Sequence, residues 1–177
     1  MEDKVYLHVP KLEDLNYRKK ILKDINTMEY NKGYEMSFDG YDMATGCIDF
    51  PESKWKNWYY KKVNNKPNSF YAYITRVKDN AFIGEVNIHW TQDKNWYDMG
   101  IVVEGKYRGR GYAVEALRKL LEVSFEDYEA PAVHNEFEST REAAIATHKA
   151  AGFSIVNEEN GIVELLINRR DYLDNYK

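Results

Sequence analysis

Apolar positions recur along the chain with two different periods. From Leu12 to Met28 they fall at Leu12, Leu15, Leu22, Ile25 and Met28, an interrupted stripe on one helical face. Farther on, Pro51 suits the opening of a short helix whose Trp55, Trp58 or Tyr59, and Val63 share a side. The character then changes. "SFYAYITRV" and "AFIGEVNIHW" are rich in β-forming residues and are separated by the turn residues "KDN"; "TQDKN" leads on to "WYDMGIVV". These predict three antiparallel strands. Helical spacing returns from Ala113, with Val114, Leu117, Leu120, Leu121 and Phe125 on one face. "APAVHNEF" predicts another strand. "STREAAIATHKAAGF" predicts a helix with a capping box, Ser139 and Glu142, and a stop at Gly152. In "FSIVNEENGIVELLINRRDYL" the pair Asn160-Gly161 marks a hairpin. The order is helices, a three-strand meander, helix, strand, helix and hairpin. That is an α/β (α+β) domain with strands grouped in the middle and at the end.

Composition narrows this picture. A chain of 177 residues with no internal repeat or Pro/Gly-rich linker predicts one domain, and 44% apolar with 15% aromatic residues excludes disorder. Formal charge is −4, from 25 basic and 29 acidic residues without a basic block, which argues against a nucleic-acid partner. A mildly acidic surface suits a cationic ligand and equally suits ordinary solvation. No apolar run is long enough to span a bilayer, and "MEDKVYLHVPKLEDL" lacks the apolar centre of a signal peptide, so no membrane partner is expected. The single cysteine, Cys47, cannot form an internal disulfide, which fits a cytoplasmic location.

The most informative stretch is "VVEGKYRGRGYAVEAL", where a β-like run meets a helical pattern through Arg108-Gly109-Arg110-Gly111. A P-loop would need Gly-Lys and Ser or Thr at fixed spacing from Gly105, and neither is present. A dinucleotide fingerprint would need Gly or Ala where Val114 stands. Two readings remain. Glycine-borne N–H groups and the positive end of the following helix can converge on an anion, or the segment is a plain strand-to-helix turn.

Arg108-x-x-Gly111-x-Ala113 resembles the [Arg/Gln]-x-x-Gly-x-[Gly/Ala] motif of the GNAT superfamily of acyl-CoA N-acyltransferases. A second block, Ala144-Ile145 followed by Gly152-Phe153, is similar to the family's helix after the fifth strand, and "NGIVELLINRRDYL" looks like its terminal hairpin strand. The resemblance covers about Phe70 to Leu173. It implies a GNAT-like mixed, mostly antiparallel sheet flanked by helices, with residues 69–177 as the acetyl-CoA-binding core and 1–68 as a variable acceptor-side part. It also implies acetyl transfer from acetyl-CoA to a primary amine on a small molecule or peptide, by direct attack, with no metal. Ile101, Val102 and Val103 would pair with the pantetheine arm. Arg108, Gly109, Arg110, Gly111, Tyr112 and Ala113 would hold the pyrophosphate, mainly through backbone N–H groups; the two arginines either add charge there or are solvated.

The chemistry needs a neutral amine and a stabilised thiolate. The family often has Tyr as general acid where this chain has His148, and an Asn where it has Arg141. A histidine can donate such a proton, or it can be a packed helix residue. Asp98 is the candidate base, with Glu85, Glu136 and Glu138 as rivals, and water-mediated proton loss requires none of them. His134 and His89 show no metal-ligand spacing and read as ordinary strand residues. The aromatic and acidic residues from Glu29 to Tyr59, including Tyr30, Tyr34 and Trp58, offer an ammonium pocket or one side of the core. A contrasting reading is a catalytically inactive acyl-CoA-binding sensor or interaction module, kept open by His148 and Arg141. The strands at the end of the sheet offer an edge for a homodimer.

Overall fold

A computed structural model describes residues 3–177. Seven strands form one sheet in the order β1-β2-β3-β4-β5-β7-β6. They are β1 (Val5–His8), β2 (Ser69–Arg76), β3 (Phe82–Thr91), β4 (Trp96–Val103), β5 (Ala132–Glu138), β6 (Ser154–Glu159) and β7 (Ile162–Asn168). The helices are α1 (Asn16–Lys23), α2 (Ile25–Met28), α3 (Glu52–Lys62), α4 (Tyr112–Glu122), α5 (Glu142–Ala150) and α6 (Arg169–Tyr176). All pairings are antiparallel except β4 with β5.

The turns follow the residues that permit them. Asn80 and Asn95, in "KDN" and "TQDKN", have φ of 56°, and Asn160 and Gly161 have φ of 52° and 78°. Two adjacent positive-φ residues match the twist of the flanking strands, as a two-residue hairpin requires.

Strand alternation divides the core. Ala72, Val86, Ile88, Met99, Val103, Val133, Leu165 and Ile167 meet Leu117, Leu120 and Leu121 of α4 on one face. On the other face Leu15, Ile21, Leu22, Met28, Phe50 and Trp55 pack together with Val102 and Trp58. Arg18 of α1 is fastened to this second face. It forms an ion pair with Glu85, whose other oxygen accepts from Tyr71 OH, and its guanidinium lies 4.4 Å from the Trp58 ring centre.

Several expectations are corrected. The stripe from Leu12 to Met28 is broken at Asp24, where ψ of 109° separates α1 from α2. β1 and α6 were not foreseen. β2, β3 and β4 form the expected three-strand meander, and β1, from the N-terminal part before residue 69, adds to it antiparallel to β2. Lys4 and Val5 N–H donate to Glu115 Oε1 at 2.6 and 3.0 Å, which ties β1 to α4. The capping box at Ser139 does not form. Arg141 occupies the N-cap, and Ser139 N–H instead bonds the Gly161 carbonyl in the hairpin turn, 2.8 Å away.

Candidate active site

β4 and β5 are registered only at Tyr97 with Val133 and Asp98 with His134. Beyond that they part. From Gly100 to Val103, β4 keeps its pairing to β3 and has no strand partner on the β5 side. Unpaired backbone donors and acceptors inside a domain call for partners, so this gap is chemically primed for an amide-bearing chain. A cleft of about 590 Å³ occupies it, lined by Ile101, Val102, Val103, Asn135, Glu136 and Phe137 of the two strands. Successive residues of both strands contribute, and these point to opposite faces, so the cleft passes through the sheet from one face to the other.

At one end the cleft reaches Arg108, Gly109, Gly111, Tyr112 and Ala113. Gly109 and Gly111 have φ of 73° and 81°. A Cβ at Gly109 would meet nothing within 4 Å, so conformation rather than crowding calls for glycine there. Gly111 is also the N-cap of α4, which places free N–H groups and a positive helix end at the mouth. These residues fit a pyrophosphate.

The Arg108 side chain is bonded to backbone carbonyls of two elements. Its Nε donates to the Val103 carbonyl at 3.1 Å and its Nη2 to the Thr27 carbonyl at 2.5 Å, with Nη1 3.5 Å from the Asn26 carbonyl. It binds α2 to the end of β4. Arg110 is exposed and is not part of the cleft wall.

His148 lies on the wall, 2% exposed. Its Nδ1 is 2.8 Å from the Ala144 carbonyl, which can only accept, so the ring proton sits on Nδ1. Nε2 then accepts from Asn135 Nδ2 at 3.0 Å. Burial lowers the His148 pKa, against a smaller upward pull from the Ala144 carbonyl. Its one ring proton is held by the Ala144 carbonyl and its Nε2 by the Asn135 amide, so no free N–H of the ring faces the cleft in this arrangement.

Asp98 is not among the residues that line the cleft. It sits at the last registered pair, where its Oδ1 is 2.6 Å from His134 Nδ1 and its Oδ2 accepts from Thr91 Oγ1. Burial opposes its ionisation, but the bonds from His134 and Thr91 prevail and lower its pKa. Glu85 has both oxygens occupied by Arg18 and Tyr71 and is 3% exposed. Glu138 forms an ion pair with Arg141 Nη2 at 2.5 Å. Among the described residues, Glu136 is the one carboxylate in the wall.

Tyr30 and Arg141 close the cleft on the side of α1–α3. The Arg141 guanidinium lies 4.9 Å from the Tyr30 ring centre and 5.5 Å from that of Tyr34. Burial and Glu85 raise the Tyr30 pKa, so it is a neutral phenol. Sequence reasoning had Tyr30 only within a broad aromatic group and did not single out Asn135. Asn135 adjoins His134 in the chain, but nothing in that adjacency shows which faces the gap. Among the described residues no three metal-ligating side chains converge, and no helix is long and apolar enough to cross a membrane.

A family model for the acetyltransferase (GNAT) domain matches residues 5–154. The chain belongs to the GNAT acetyltransferase family. No curated protein matches its sequence significantly. Solved structures share the fold. One is a spermidine N-acetyltransferase from Vibrio cholerae in complex with CoA and spermine, with TM-score 0.74 and 14% identity, covering 97% of this chain and 99% of that one. Another is a GNAT-family acetyltransferase from Bacillus anthracis, with TM-score 0.70 and 14% identity over 96% and 98% of the two chains. FdhC, a nucleotide-linked sugar GNAT, has TM-score 0.70 and 17% identity over 98% and 91%. Such different acceptors on one GNAT fold mean that the fold alone does not select the acceptor.

Proposed function

We propose that this GNAT member transfers an acetyl group from acetyl-CoA to a primary amine by direct attack. The observation that carries the reading is the cleft through the β4/β5 gap, ending on the left-handed glycine turn at the start of α4. In this reading the run from Ile101 to Val103 lies along the pantetheine arm and offers it the backbone groups that β3 and Arg108 leave free. Gly109, Gly111, Tyr112 and Ala113 offer N–H groups to the pyrophosphate, and Arg108 holds the turn in place through α2. Acetyl-CoA supplies the activated thioester. Glu136 orients the ammonium of the acceptor and receives its proton, directly or through water; as the neutral amine forms its bond to the thioester carbonyl the C–S bond breaks, and the CoA thiolate takes up the second nitrogen proton through water. His148 is a positioning residue that holds the Asn135 amide and leaves that amide's second hydrogen as a donor on the wall. The free thiol Cys47 takes no part, since direct attack forms no acyl-enzyme. A cytoplasmic location goes with this reading.

The spermidine N-acetyltransferase neighbour makes polyamines a first choice of acceptor to try. Calorimetric titration with acetyl-CoA, followed by thiol release with a panel of amines, tests the reading. Tight binding with amine-dependent thiol release is the expected result. Binding without release on any amine would establish instead the acyl-CoA sensor, which the fully bonded His148 favours.

A further inference from the structure

The sheet face turned toward α1–α3 continues past the cleft onto β5 and β7, where it carries an unusual row of groups. Glu136 and Glu164 are directly opposed in the β5/β7 register. Like charges at opposed positions repel at close range and weaken the strand pair unless a cation lies between them. Beside them is His134, 4% exposed, with Nδ1 committed to Asp98. Its Nε2 is buried, has no hydrogen-bond partner among the described residues and lies 3.7 Å from Glu164 Oε2. The Trp96 ring stacks on the imidazole at 4.3 Å. The remaining charges facing the row are few. Asn157 Nδ2 holds Glu164 Oε1 at 3.1 Å, and His89 is 4.0 Å from Asp98. The Lys94 ammonium reaches to 5.9 Å from the Trp96 ring, and Arg141 is spent on Glu138.

We propose that the acceptor is a dication, with its reacting amine at Glu136 and a second ammonium held between Glu164 and the His134 Nε2 lone pair. This rests on the transferase reading of the cleft and names the substrate class for it: a diamine or polyamine with a short aliphatic spacer. The opposed carboxylates are about 5 Å apart at their Cβ atoms. Each ammonium therefore meets one acid, and the pair that repels in the free protein is neutralised in the complex. His134 accepts a hydrogen bond from the second ammonium with its unused lone pair, while Asp98 holds the tautomer that leaves the lone pair there.

The test compares putrescine with n-butylamine, which has the same carbon chain and one amine. Calorimetric titrations are run with and without saturating CoA, so the result does not depend on turnover. Putrescine binds more tightly than n-butylamine by about fivefold or more, and Glu164→Gln removes that difference while leaving n-butylamine unchanged. Added salt narrows the difference in the wild type. Equal affinity for the two amines, or putrescine binding indifferent to Glu164→Gln and to Glu136→Gln, would overturn the proposal. Thiol release separates the two readings: acetylation of n-butylamine as efficient as that of putrescine keeps the transferase and sinks the dication.

Discussion

Burial sets the charge state of His148, and its partners set the tautomer. Because its pKa in the folded chain lies below the ordinary value of 6.5, the unfolded chain takes up the proton more readily. The stability it contributes is therefore present above pH 6.5 and is lost as pH falls toward the folded-state pKa. Thermal melts between neutral pH and about pH 5 should show a falling Tm, and His148→Gln should flatten that part of the profile. A profile identical in the variant would contradict the buried neutral ring. The sequence motif located His148 at the cleft, but its proton could not be read there. The deciding groups are the Ala144 carbonyl one turn back and Asn135 on another strand. Asp98 and Glu136 show the same limit. They share a face through the β4/β5 register, and only the point where the strands part makes one a hydrogen-bonded anchor and the other a cleft residue.

At the scale of elements, two joints hold the site. One is the turn into α4. Gly111→Ala forces a side chain into the left-handed region at a cost of about 1 kcal/mol, and the strain is expected to weaken acetyl-CoA binding as well as lower Tm. Calorimetry and a melting curve on the same variant check both. The other joint fastens α1 to β3 through Arg18 and Glu85. Glu85→Gln leaves a buried guanidinium without its counter-charge, and denaturant unfolding should show a loss of about 3 kcal/mol. A loss below about 1 kcal/mol would mean that Tyr71 and the Trp58 ring suffice.

The elements differed in how plainly the chain announced them. β4 occupies Trp96–Val103, the run "WYDMGIVV" that its β-formers and the flanking Asn95 turn marked out. β1 was missed because four residues, Val5–His8, are too few to display a period. α6 was missed because only Tyr172 is buried along it, so no apolar stripe exists to be read. The expected cap at Ser139 lost to a hairpin turn distant in sequence, a tertiary contact that no local pattern contains.

The whole molecule is a sheet whose two halves are joined by only two registered pairs. That economy creates the cleft, and the two cores on either side keep the halves from closing it. Family membership and architecture were legible because the glycine turn and the α5 block lie in continuous sequence. The cleft wall on the side of α1–α3 was not, because it is assembled from Tyr30, Val102, Glu136 and Arg141, four separate segments. The outer edge is β6, all six residues of which are exposed. An irregularity between Ile155 and Asn157 breaks its register, a device that discourages edge pairing. The measurement that tests the account most directly is release of free CoA thiol from acetyl-CoA in the presence of putrescine or spermidine. The predicted result is amine-dependent release with one acetyl group gained by the amine, suppressed in Gly111→Val. No acetyl-CoA binding, and no thiol release with any amine, would contradict it.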